Sequence, residues 1–211
     1  MEIAVLGSTG QTGRLVIARA LERGHDVLAL ARRPELVEAP ASGKLRAVRA
    51  DVTDPGSVLA AVEGADVVVS ALGITKKQDP AILVEGARQI ASAAPRVIWL
   101  TSLGMGATEG ALGAVNGALL RRVLRHEWEA KGIAGRAVRD AGGTTVHAGP
   151  LTNRPHQGDG RLVPARGFKP RRIPPMAPRA GIAALMVAEA ESPHFTDADT
   201  IALFGTAHSC E

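Results

Sequence analysis

The chain contains no tyrosine, and its aromatic residues are two tryptophans and three phenylalanines. So few rings leave no platform on which successive bases could stack. Lysines and arginines are scattered, with no block of five or more, so the net charge of +4 is not read as a nucleic-acid surface. A basic face that welcomes a polyanionic small molecule accounts for it. The single cysteine, Cys210, cannot close a disulfide within the chain, which suits a reducing compartment. The N-terminus enters a strand within two residues, with no basic leader and no apolar run able to span a bilayer. The expected setting is therefore cytoplasmic, with no membrane partner. His25, His126, His147, His156, His194 and His208 make no short metal-ligand spacing, so no metal site is expected.

What is present is a strong α/β pattern. Hydrophobic residues make up 45% of the 211 positions, enough for one core, and there is no internal repeat. Runs at 3–6, 27–31, 45–50, 67–71 and 97–100 are continuous in Val, Ile, Leu and Ala, as strands buried on both faces should be. Helical patterns lie between them. Residues 10–23 read as the first helix, closed by Gly24. Asp54-Pro55 and Asp79-Pro80 each place a capping carboxylate before a proline at the first helical position. Strands that alternate with helices predict a doubly wound parallel sheet, the Rossmann fold, as a single domain over 1–211. The expected strand number is six to seven, in the order 3-2-1-4-5-6, with ligand at the carboxyl ends where the order reverses. Residues 144–147 and 201–204 supply the later strands, and 180–190 the last helix. A long helical pattern covers 116–141, weakened at Gly132 and Gly135. Residues 150–178 break the pattern. They are rich in proline and carry Arg154, Arg161, Arg166, Lys169, Arg171 and Arg172 against one acid, Asp159. The expectation is an irregular segment on the substrate side, either a basic cover over 153–176 or a solvated loop.

The first strand runs directly into Gly7-Ser8-Thr9-Gly10-Gln11-Thr12-Gly13. Small residues let the backbone turn sharply and approach a pyrophosphate, and the helix that follows aims free N–H groups and its positive dipole end at the phosphates. The second strand ends Ala31-Arg32-Arg33. An NAD-specific domain usually ends this strand with an acid that accepts from the ribose hydroxyls. Here two guanidinium groups stand where a 2′-phosphate would lie, so the expected cofactor is NADP(H). Asp51-Val52 ends the third strand, where the carboxylate either accepts from the adenine amino group or caps the local loop. Leu72-Gly73 follows the fourth strand and permits close packing against the cofactor.

These residues resemble the atypical short-chain dehydrogenase/reductases, particularly the NmrA-like and flavin/biliverdin-reductase-like group. The matching pieces are Gly7–Gly13, Arg32-Arg33, Asp51-Val52, Glu85-Gly86-Ala87-Arg88, Thr101-Ser102, Lys131 and Gly149-Pro150-Leu151-Thr152-Asn153. The resemblance implies that Pro150 and Leu151 sit against the nicotinamide and that Ser102 faces the reactive ring. Lys131 is read as a ribose ligand or a solvated helix lysine. His147 on its strand, and His156 and Arg171 in the irregular segment, are candidates for the substrate side, with plain sheet or loop roles as the alternative. The sequence departs from the group at one catalytic position. Typical members place a tyrosine four residues before the lysine as general acid. Glu127 holds that position here.

The function expected from these readings is hydride transfer from NADPH to a conjugated acceptor such as a flavin or quinone. Such acceptors delocalise the arriving charge, so water or Ser102 can deliver the proton late. The partner is then a small electron acceptor, anionic if the basic segment receives it, and the chain is a monomer or homodimer. Two other readings keep the fold and the cofactor: a redox-sensing regulator that catalyses nothing, and a lyase, isomerase or cyclase.

Overall fold

The aliphatic runs of the N-terminal half stack side by side at the centre of the molecule, because neither face of such a strand can be left in water. A computed structural model describes residues 1–37, 43–155, 160–170 and 173–205. Six parallel strands come first: β1 (Glu2–Leu6), β2 (Asp26–Ala31), β3 (Leu45–Arg49), β4 (Val67–Ser70), β5 (Val97–Ser102) and β6 (Thr144–Ala148). They lie in the order β3-β2-β1-β4-β5-β6. Two more strands extend the sheet. β10 (Ala198–Phe204) runs parallel to β6, and β8 (Gly160–Pro164) runs antiparallel to β10 at the edge.

Helices cover both faces, and the two-residue period of the strands decides which side chain meets which layer. On one face, Ile3, Val5, Val27, Ala29, Val67 and Val69 pack under α1 (Gln11–Glu22) and α6 (Arg179–Glu191). On the other, Ala4, Leu6, Leu28, Leu30, Val68 and Trp99 pack under α2 (Pro55–Val62), α3 (Ala81–Ala93) and α5 (Trp128–Asp140). Both β1 neighbours are parallel, yet the chain reaches β2 directly and β4 only after β3. That reversal opens a crevice at the carboxyl ends of β1 and β4.

Two expectations are corrected. The helical pattern over 116–141 is two helices, α4 (Gly113–Val123) and α5, with the break at 124–127 rather than at Gly132 or Gly135. Both glycines lie buried inside α5, where Gly132 approaches the backbone of Gly106. The segment 150–178, read as irregular, contains three short strands. β7 (Leu151–Thr152) pairs with β9 (Ala177–Pro178), and β8 joins the main sheet. Proline and glycine argued against a strand here, but an antiparallel edge strand tolerates Pro164 at its end. Within 153–176, residues 160–164 are therefore an edge strand of the main sheet. No helix among the described residues is long and apolar enough to cross a membrane.

Candidate cofactor and active site

The crevice is a cleft of about 710 Å³ along the carboxyl ends of the parallel strands. Its floor at one end is the turn from β1 to α1. Gly7 adopts φ +79°, and a Cβ there would lie 2.8 Å from the backbone of Ala71, so this turn admits glycine alone. A Cβ on Gly13 would meet the Gly7 carbonyl at 2.2 Å. Gly13 therefore lets the helix sit close to the strand rather than touching ligand itself. Gly7, Thr9, Gly10, Gln11 and Thr12 line the cleft. The helix begins after Gly10 without a side-chain cap, which leaves its first N–H groups free for an anion. Ser8, passed over in the sequence, is buried and donates to the Leu30 carbonyl at 2.7 Å. It ties the turn to β2.

Arg32 lines the cleft beyond β2, whereas Arg33 starts the short turn Pro34–Leu36 and does not. The pair is thus split into one cleft residue and one surface residue. Asp51 also lines the cleft, and its Oδ1 accepts from the Thr53 N–H (3.0 Å) and hydroxyl (2.8 Å). The Thr53 N–H first, and then the Thr53 hydroxyl, Arg32 and Arg49, outweigh desolvation and hold this carboxyl below its usual range. The loop role and the cleft position coexist in one residue. Val52 and Leu72 line the wall. Behind them a Cβ on Gly86 would lie 2.8 Å from Leu72 and 3.1 Å from Val52, and Gln89 donates to the Val52 carbonyl at 2.7 Å. The Glu85–Arg88 run thus acts by supporting the wall. Gln89 was missed because a buried glutamine on a helix carries no motif.

At the far end β5 delivers Thr101 and Ser102, and α5 delivers Lys131. Lys131 Nζ donates to Ser102 Oγ at 2.9 Å and pairs with Glu127 Oε1 at 3.3 Å. Thr101 is 7% exposed and its hydroxyl is buried without a partner among the described residues. Gly73 and Leu151 complete the lining. Pro150 does not reach it, and its carbonyl accepts from the Ala177 N–H at 3.0 Å. Arg179, not foreseen as a site residue, lines the cleft from the start of α6 and donates to Asn153 at 2.8 Å. His147 is corrected as a substrate-side candidate. It is 3% exposed and bonded to Thr108 (3.0 Å) and Thr145 (3.2 Å), with Asp199 at 3.4 Å. Its Nδ1 also lies 3.3 Å from the Ser102 carbonyl. His156 and Arg171 lie outside the described residues.

The shape, the uncapped helix start and the orphaned Thr101 hydroxyl all fit a dinucleotide laid across the sheet. A family model described as NAD(P)H-binding matches residues 7–193. The chain belongs to that NAD(P)H-binding family. Its fold is that of the short-chain dehydrogenase/reductase type expected from the sequence. An anaerobillin reductase, ChuY, from Escherichia coli O157:H7 superposes with a TM-score of 0.79, at 18% identity and 100% coverage of both chains. A short-chain dehydrogenase/reductase from Veillonella parvula in complex with NADP gives 0.78, at 16% identity, over 98% of this chain and 96% of that one. In sequence, an isoflavone reductase homologue, IRL, from Zea mays is 32% identical over 96 residues, 42% of this chain and 31% of the relative. The match thus spans about a third of that relative's length.

Proposed function

We propose that the protein is an NADPH-dependent oxidoreductase that delivers hydride to a flavin, quinone or other conjugated acceptor, with Ser102 as proton donor. The hydrogen bond from Lys131 to Ser102 carries this reading. Because the ammonium donates to Ser102 Oγ, the serine's own proton is left to point elsewhere, and no described residue accepts it. The serine lines the cleft, so an acceptor heteroatom placed there is the natural partner. The nicotinamide, when bound, supplies the hydride. The hydroxyl proton of Ser102 goes to the acceptor, and the Lys131 ammonium stabilises the alkoxide left behind and returns a proton to it. Glu127 neutralises Lys131, and solvent restores the proton. For the cofactor, Arg32 is the group that favours the 2′-phosphate, supported by its place in the cleft and by the lack of an acid at the end of β2. The NADP complex of the Veillonella relative is in keeping with this choice.

The test follows loss of NADPH absorbance with a panel of flavins and quinones. Turnover is expected, with Ser102→Ala losing ~10²-fold or more in kcat, the scale of general acid catalysis. Arg32→Ala should weaken NADPH binding by ~10-fold or more and leave NADH nearly unchanged, as loss of one charge-assisted contact requires. Absence of turnover with every acceptor removes the oxidoreductase reading. Equal affinity for NADPH and NADH in the unaltered protein removes the cofactor assignment.

A further inference from the structure

A second cavity, of about 510 Å³, adjoins the cofactor cleft. Ile74 and Thr75, in the loop after β4, line both spaces. Hydrogen bonds and an ion pair join residues of the two linings. His126, which lines the second cavity, reaches the carbonyl of Gln78, which lines the cleft, at 3.0 Å. Glu127 lines the second cavity and is joined through Lys131 to Ser102 in the cleft. The far side is the break between α4 and α5. The last turn of α4 presents Arg122 and Val123, the break presents Leu124 and Arg125, and Lys76 lines the same cavity from the loop after β4.

The charges in this cavity are unbalanced. Arg122, Arg125 and Lys76 form no ion pair with any described residue. The one carboxylate, Glu127, is paired with Lys131 at the inner end. The carboxylate linked to Ser102 through Lys131 is thus neutralised, whereas the three cations have no counter-charge among the described residues. Ile74, Val123 and Leu124 add apolar surface between the two ends, and the volume suits a small organic ligand.

We infer that this second cavity is the acceptor site, and that it selects an acceptor whose anionic group is set apart from its reducible ring. The anionic group lies against Lys76, Arg122 and Arg125, and the uncharged ring reaches past Glu127 toward Ser102. The inference rests on the proposed oxidoreductase reading for the word acceptor, but the site itself is a claim about binding. It also moves the substrate-side charge from the 153–176 segment to the α4–α5 break.

The probe is anthraquinone-2-sulfonate, with neutral 1,4-naphthoquinone as comparison, titrated calorimetrically into the NADPH-free and NADP-loaded protein. Arg122→Glu with Arg125→Glu, exposed residues in the last turn of α4 and in the break, should weaken sulfonate binding by ~10-fold or more at low salt, and the naphthoquinone much less. The difference should shrink as screening shortens from ~10 Å at 0.1 M salt to ~3 Å at 1 M. NADP affinity should stay within about twofold, since neither arginine lines the cofactor cleft, and circular dichroism reports folding. Lys76→Glu on the opposite loop serves as a second, independent variant. Sulfonate affinity that is undetectable, or unaffected by all three charge reversals, overturns the site. Charge-dependent binding without NADPH oxidation supports the site and overturns the oxidoreductase reading alone.

Discussion

At the scale of single residues, the glycines of the first turn separate folding from binding. Gly7 has φ +79° and backbone 2.8 Å from an added Cβ, so Gly7→Ala strains the turn itself. Gly10 has φ −76°, and an added Cβ meets only the Gly7 carbonyl, at 3.2 Å. Its side-chain direction otherwise opens on the cleft. Gly10→Val should therefore keep a cooperative melt within a few degrees of the unaltered protein and lose NADPH binding. Gly7→Ala should lower stability by ~1–3 kcal/mol, the scale of an enforced left-handed conformation. Urea unfolding with a parallel NADPH titration distinguishes them, and normal NADPH affinity in a folded Gly10→Val protein would refute the role given to this turn. The glycine run was legible in the sequence because its position after a buried strand is a local signal. The division of labour inside it was not, since Gly13 meets its neighbour only once helix and strand are docked. The same holds for Arg32 and Arg33. Adjacent in sequence, they part because the chain turns between them.

At the scale of elements, α6 is anchored by a charge that the sequence does not announce. Glu189 is 3% exposed, yet it accepts from Arg96 at 2.7 Å and from the N–H groups of His194 (3.1 Å) and Phe195 (2.9 Å). It ties the helix to the turn before β5 and to the approach to β10. Arg96→Met should cost about 3 kcal/mol, because it strips the counter-charge from a buried carboxylate. Glu189→Gln should cost less, since an amide oxygen still accepts from the two N–H groups and the guanidinium left without its partner is more exposed, at 16%, than the carboxylate, at 3%. Urea midpoints that rank the two variants the other way would contradict this account. The α4–α5 break is a second case. Nothing at 124–127 breaks a helix locally, for the stretch holds neither glycine nor proline. α5 must pack Ala134 and Val138 under the sheet, whereas α4 buries none of its residues. Arg121 then lies over the Trp128 ring at 5.0 Å across the break. The second cavity exists only because of that break.

At the scale of the whole molecule, several carboxylates lie below their ordinary range in the fold. For Asp199, burial pushes the carboxyl up, but hydrogen bonds from His147 and Thr145 and the charge of Arg139 outweigh it. For Glu191 the hydrogen bond from Arg23 comes first, opposed by desolvation and aided by His25. Asp51 behaves likewise through Thr53. A lowered folded-state value means that the unfolded chain binds more protons in the acid range, so stability rises with pH there. The contribution is complete above the ordinary carboxyl value near ~4 and is lost as pH falls through the lowered values. The urea midpoint should therefore hold near neutrality and drop steadily below about pH 5, and Asp199→Asn should flatten part of that drop. A midpoint independent of pH across the acid limb would count against these pairings. The sequence by itself determined the layered sheet, its first six strands in order and the phosphate turn, because those follow from local apolar periodicity and from glycine's backbone freedom. Only the tertiary structure decided that 160–164 closes the sheet edge, that His147 is turned away from the cleft, and that Lys131 reaches Ser102. Each of those depends on partners dozens of residues away, and no local pattern encodes a contact whose other half is placed by the fold.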